Sequence, residues 1–266
     1  MSILDVRGLD AGYGEGPVIK GISFALGRGE FISVLGPNGS GKSTLLKAIL
    51  RLIPRIEGSV AIEGREASRL GPRLMARSIA YVPQFPDASF AFTVEEVVLM
   101  GRYAHLGRFG RVSASESRFL DEIMDLARIG HLRGKPLGRL SGGERQRVHI
   151  ARALAQDAPI LLLDEPSTHL DVAYQLEVYR ILRRLRREKG TAVLCAEHNI
   201  NLAVLFSDRL LFLKEGRLAA QGPPRRLVTR KLIRDVFGAE VDVRRNARTS
   251  LPEISLIPPD EDAPCK

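Results

Sequence analysis

The chain has 266 residues, 44% hydrophobic and 27% charged, enough for one large or two small domains with a proper core and too ordinary a mixture for bulk disorder. Forty Lys and Arg against 31 Asp and Glu leave a net +9, much of it late in the chain, at Arg183, Arg184, Arg186, Arg187, Arg225, Arg226, Arg230, Lys231, Arg244 and Arg245. Such a surplus fits nucleic acid, an anionic membrane surface or plain solvated helix faces, but no aromatic residues interleave with these cations as a base-stacking platform requires.

In chain order, the first residues lack the basic-then-apolar layout of a secretory signal. Residues 3–9, 18–26 and 30–35 read as strands, divided by glycine turns at 12–16 and 27–29. The apolar run 31–35 then enters Gly36-Pro37-Asn38-Gly39-Ser40-Gly41-Lys42-Ser43, followed by Thr44 and a helix-like stretch to residue 50. Strand, loop and helix in that order are the context a phosphate-binding loop needs. Its glycines let successive N–H groups curl toward phosphate oxygens at a helix N-terminus. Lys42 adds charge for the β- and γ-phosphates, and the Ser43 hydroxyl is a ligand for Mg²⁺. A nucleoside triphosphate site is expected.

A hairpin is expected around residues 58–64, and helical spacing begins near residue 92, with Phe119, Ile123, Leu126 and Ala127 on one stripe. Residues 90–109 are rich in apolar and aromatic side chains, Phe90, Phe92 and Leu106 among them, and suggest a docking groove for a partner's short helix. Leu140-Ser141-Gly142-Gly143-Glu144 reads as a helix start: Ser141 is the N-cap and Glu144 completes a capping box, with a helix to residue 155. The double glycine weakens such a helix by roughly 1 kcal/mol each yet leaves bare N–H groups at a positive dipole end. A second anion site, far along the chain from the first, suggests service to a neighbour's nucleotide.

Residues 160–163 form an apolar strand ending in Asp164-Glu165, where open parallel sheets bind ligands. Asp164 is placed to orient Mg²⁺ and Glu165 to polarise the attacking water. Strands and helices then alternate through residues 172–187, 191–196, 200–206 and 209–213, which argues for a parallel α/β sheet carrying a helical insertion. No apolar run is long enough to cross a bilayer. Cys195 and Cys265 make neither a metal pattern nor a disulfide framework. The tail from Pro252, with Pro258, Pro259 and an acidic run, is expected to be loose.

These motifs together resemble the ATP-binding subunits of ABC (ATP-binding cassette) transporters over roughly residues 3–222, the segment 140–144 matching that family's signature. The resemblance implies further roles. Tyr13 stacks on adenine, Gln84 touches Mg²⁺ and senses the membrane partner, residues 167–171 cross a dimer interface, and His198 contacts the γ-phosphate. His169 departs from the usual alanine and receives no role. Residues 101–109, 164–171 and 227–241 resemble importer ATPases for iron chelates, haem and cobalamin. The expected fold is α/β: a phosphate-loop ATPase core with an N-terminal antiparallel β subdomain and a helical insertion at about 85–155, together residues 1–240, and a C-terminal extension at 241–266. The expected function is ATP hydrolysis driving uptake, with ATP and Mg²⁺ as cofactors. Catalysis falls to Glu165, His198 and Gln84, metal binding to Ser43, Gln84 and Asp164. Expected partners are integral-membrane permease subunits, a second copy of the chain and, indirectly, a substrate-binding protein, at the cytoplasmic face of the membrane, with no nucleic acid. The alternative is a soluble ABC ATPase remodelling a nucleic-acid or ribosomal partner.

Overall fold

The computed structural model describes residues 2–14, 16–84, 92–106, 113–168 and 170–257. The first layer is an antiparallel sheet. β1 (Ser2–Gly12) and β2 (Ile19–Gly27) pair across the glycine turn, and after β3 (Phe31–Leu35) and α1 (Lys42–Ile49) the chain returns as β4 (Arg55–Ile62) and β5 (Arg65–Glu66) to give the order β2-β1-β4-β5. Apolar residues alternate along β1 and β2, so one face points into a core shared with α1 and the main sheet. There Ile3, Leu9, Ile22, Leu45 and Leu211 are buried together.

The chain then gives α2 (Pro72–Ser78), β6 (Ile79–Val82), and the helices α3 (Val94–Met100), α4 (Ala114–Leu126) and α5 (Gly142–Ala155). Next come β7 (Ile160–Asp164), α6 (Val172–Lys189), β8 (Ala192–Ala196), α7 (Ile200–Phe206), β9 (Arg209–Lys214) and β10 (Arg217–Gly222). The second sheet has the order β10-β9-β3-β8-β7-β6, parallel from β9 to β6 with β10 an antiparallel edge. Its inner strands β3, β7 and β8 are buried at every position, as expected where both faces are covered. On one face lies the core shared with the first sheet. On the other, α3, α4 and α5 pack with α6 around Val98, Met124, Val148 and Leu182.

Arg102 ties that helical layer together. Its guanidinium donates to both carboxylate oxygens of Glu116 at 2.7 and 2.9 Å and to the Ala155 carbonyl at 2.9 Å, and it lies over the Phe119 ring. The hydrophobic stripe of α4 is thereby locked to the end of α5. The proposed docking stretch is split. Val94, Val97 and Val98 belong to the core, while Phe92 and Tyr103 are exposed and Leu106 is half-buried; Phe90, Ala91 and residues 107–109 lie outside the described residues.

The end of the chain corrects one expectation. After α8 (Pro224–Leu227) and α9 (Arg230–Phe237), β11 (Val241–Arg245) and β12 (Pro252–Leu256) form a hairpin instead of a loose tail. The Asn201 side chain joins it by donating to the Ile254 carbonyl and accepting from its N–H, at 3.0 and 2.9 Å. A proline heads β12 without cost because a first strand position needs no N–H. The prolines and acids from 258 onward, and Cys265, lie outside the described residues. Cys195 is a buried free thiol.

Candidate active site

Four adjacent parallel strands deliver their carboxyl ends to one rim. Beyond β3 lies the loop 36–43, beyond β6 Gln84, at the end of β7 Asp164 and Glu165, and beyond β8 Glu197 and His198. This is where an open α/β sheet binds ligands. A cleft of about 500 Å³ lies there, lined by Val18, residues 38–44, Gln84, Glu165, Thr168 and His198. Of the expected loop residues, Gly36 and Pro37 do not line it.

The loop's shape follows from its glycines. Gly39 and Gly41 have φ of 77° and 98°, in the left-handed region. A Cβ on Gly41 would lie 2.5 Å from the Ile19 side chain, so only glycine lets the loop press against β2 and turn directly into α1. Within the loop the Lys42 ammonium donates to the carbonyls of Gly36 (2.9 Å) and Pro37 (3.2 Å), which leaves one of its three protons for a phosphate oxygen. Burial lowers its pKa, and the nearby Glu165, Asp164 and Glu197 oppose that shift. The Ser40 hydroxyl is buried and has no partner among the described residues.

Asp164 accepts from Ser43 Oγ at 2.9 Å and from the Tyr81 hydroxyl at 3.3 Å. Burial pushes its pKa up, against the Ser43 hydrogen bond. Glu165 is held at φ 51°, a conformation that costs a non-glycine residue of order 1–3 kcal/mol and that clusters at functional sites. Its carboxylate meets three groups from three elements: the Gln84 amide and Thr168 Oγ1 on Oε2, and His198 Nε2 on Oε1. The side chain of Glu165 is buried while that of His198 is 40% exposed, so the histidine forms the outer lip.

A hard cation suits these donors. The Ser43 hydroxyl and the Gln84 amide are neutral oxygen ligands of the kind that Mg²⁺ takes with phosphate oxygens and water, with Asp164 hydrogen-bonded behind Ser43 to hold it. No cluster of three or more His, Cys, Asp or Glu that could hold a metal alone occurs among the described residues.

Two sets of expected residues lie apart from the cleft. Ser141, Gly142 and Gly143 head α5, where Ser141 Oγ accepts from the Glu144 N–H at 3.3 Å and the Glu144 carboxylate accepts from Ser141 N and Oγ, both at 2.8 Å. Ser141 and Gly142 are exposed and line no part of this chain's cleft. The helix begins at Gly142, so the double glycine belongs to its first turn. Tyr13 sits on the turn after β1, 53% exposed, outside the cleft lining. Sequence reasoning gave no site role to Tyr81 or Glu197, and placed Thr168 only in the interface segment 167–171. Tyr81 and Glu197 each adjoin a recognised motif, but nothing in their spacing signals a contact made with another strand or helix.

The chain can now be compared with known proteins. The model of the ABC transporter family matches residues 19–168. The iron(3+)-hydroxamate import ATP-binding protein FhuC of Bacillus subtilis is 34% identical over 252 residues, covering 95% of this chain and 94% of the relative. An uncharacterised ABC transporter ATP-binding protein of the same organism, YvrA, is 37% identical over 261 residues, and the chain spans 59% of its length. For the cobalamin import ATP-binding protein BtuD of Halobacterium salinarum the figures are 38% over 255 residues and 64% of its length. Among solved structures, an inward-facing putative metal-chelate type ABC transporter superposes with a TM-score of 0.83 at 28% identity, covering 96% of this chain and 97% of that one. A dimeric ATP-binding cassette in a post-hydrolysis state with ADP and Pi gives 0.72 at 29% identity, covering 83% and 98%. With strand order, phosphate loop, acidic strand end and signature helix agreeing with these likenesses, the chain belongs to the ABC transporter family as an ATP-binding cassette.

Proposed function

We propose that this chain is the ATP-hydrolysing subunit of an importer that moves a bulky metal chelate (an iron chelate, haem or cobalamin) through a membrane permease. The observation that carries the reading is the convergence of Gln84, Thr168 and His198 on Glu165 beside the phosphate loop. That is the arrangement needed to aim one carboxylate at a water in line with a γ-phosphate. In the proposed roles the loop amides and Lys42 bind the phosphates, Tyr13 covers the adenine, Glu165 takes a proton from the water and His198 holds the γ-phosphate. Ser43 and Gln84, with Asp164 behind them, would hold Mg²⁺, which when bound neutralises charge on the β- and γ-phosphates. Ser141, Gly142 and Gly143 serve the ATP of a second copy.

The uptake reading takes its cargo class from the names of the iron-hydroxamate and cobalamin relatives and from the metal-chelate likeness. No helix among the described residues is long and apolar enough to cross a membrane, and the proposed place of work is peripheral, on the cytoplasmic side beside a permease. The unit proposed is residues 1–240 as ATPase with the helical part at about 85–155, followed by the extension 241–266. Vesicles holding the chain with the permease it copurifies with should accumulate a labelled iron siderophore, haemin or cobalamin only with Mg·ATP. Copurification with ribosomes or nucleic acid, and with no integral-membrane protein, would transfer the assignment to the remodelling ATPases.

A further inference from the structure

One buried carboxylate near the site has no part in the chemistry above. Glu197 lies between β8 and His198, is 2% exposed, and finds a partner for each oxygen. Oε1 accepts from Ser167 Oγ at 2.9 Å and from the Tyr179 hydroxyl. Oε2 accepts from the backbone N–H groups of His198 at 3.2 Å and Asn199 at 3.5 Å. Its own N–H donates to the Val34 carbonyl at 2.9 Å, one strand residue short of the phosphate loop. Tyr179 is fully buried and stacks between Phe31 and Phe206, so the hydroxyl that fixes Glu197 cannot wander.

Three segments therefore meet on a single side chain: the loop after Glu165, through Ser167; the segment carrying His198; and the helix α6, through Tyr179. Burial raises the Glu197 pKa while the hydroxyl and backbone donors pull it down. A buried carboxyl is expensive unless fully hydrogen-bonded, and a hydrophobic residue would fill the same space at no such cost. The arrangement is explained if the bonds hold two loops in register.

We propose that Glu197 is a positioning residue: by clasping Ser167 with one oxygen and the His198–Asn199 backbone with the other, it fixes the interface loop and the histidine relative to Glu165. The inference rests on the ATPase reading. Because Glu197 does not itself line the cleft and reaches it only through the His198 backbone, its loss should act on turnover and leave ATP binding alone.

The experiment is steady-state Mg·ATP hydrolysis by the full chain, with kcat referred to sites that bind nucleotide. In Glu197→Gln the amide oxygen can keep both backbone N–H groups while its NH₂ donates to the two hydroxyls, which rotate to accept. This variant should stay within about threefold of wild type, since the clasp survives without the charge. Glu197→Ala should lose on the order of 10- to 100-fold in kcat with KM for ATP within about twofold, the signature of misplaced groups. If Glu197→Ala does not fold, Ser167→Ala deletes a single bond and should lower kcat by about 3- to 10-fold at unchanged KM. An Ala variant at 197 as fast as wild type, a Gln variant as slow as the Ala variant, or an unaltered kcat in Ser167→Ala would each overturn the clasp. A wild-type chain that binds but never hydrolyses ATP would overturn the functional reading instead, and the clasp with it.

Discussion

Glu165 carries three contacts on two oxygens at a left-handed backbone position, and its neighbours fix its direction more than its charge. Glu165→Gln keeps shape and hydrogen bonds but no longer takes a proton, so turnover should fall by about 10²–10⁴-fold while ATP affinity is kept. Turnover within a few-fold of wild type would remove it from the role of general base. Lys42→Ala should do the reverse, weakening ATP by about 10- to 100-fold, since a charge-assisted bond contributes roughly 1.5–3 kcal/mol; unchanged affinity would contradict the cradle. A residue remote from the chemistry adds to the acid sensitivity of the fold. His149 on α5 is 3% exposed, with Nδ1 unpartnered among the described residues. Burial, then the charges of Arg152 and Arg145, lower its pKa from 6.5 to about 4. The folded state refuses a proton that the unfolded chain accepts, so its contribution is complete above pH 6.5 and is lost as pH falls through about 4. The loss amounts to up to about 3 kcal/mol. Urea midpoints at about pH 7 and about pH 5 should separate less in His149→Leu than in wild type.

At the scale of elements, the helical layer depends on a close approach at Gly101. A Cβ there would lie 2.2 Å from the Arg152 carbonyl oxygen and 2.9 Å from the Ala155 Cβ, both on α5. Backbone cannot yield as a flexible side chain does. Gly101→Ala should therefore cost about 1–3 kcal/mol and lower Tm by roughly 2–10 °C, a shift that calorimetry resolves. An unchanged Tm would mean that the segment after α3 can slide on α5. The same junction gives Arg102 its fork onto Glu116 and the Ala155 carbonyl. Residues 101–109 resembled an importer segment, and the described part of that segment has a packing reason for its Gly-Arg pair.

For the whole molecule, the decisive fact is that the start of α5, at Ser141 and Gly142, is exposed and lines no part of its own cleft. In the proposed reading this helix start completes the nucleotide site of a second copy in a head-to-tail pair. Glu165→Gln with ATP should elute as a dimer, because uncleaved nucleotide holds both halves. Ser141→Arg should abolish hydrolysis and leave ATP binding by the monomer within about twofold, since the proposed role of that residue is on the partner's nucleotide. A strict monomer under turnover conditions, by light scattering, would refute the paired arrangement.

Much of this was written in the chain. Spacing alone marked the phosphate loop, the acidic strand end and the capping box at Ser141, because each is local: a backbone path or a cap needs particular residues a few positions apart. The alternation after residue 160 announced the parallel sheet for the same reason. The loose tail was misread at 252–256, since a proline beside exposed polar residues looks unstructured until a partner strand and Asn201 supply its hydrogen bonds. Strand order was not local either. Only the folded sheet puts the ends of β3, β6, β7 and β8 on one rim, brings Gln84 and His198 onto Glu165, and buries Glu197 where Ser167 and Tyr179 can reach it. Those contacts join residues far apart in the chain, and no periodicity in a sequence encodes a distance that packing sets.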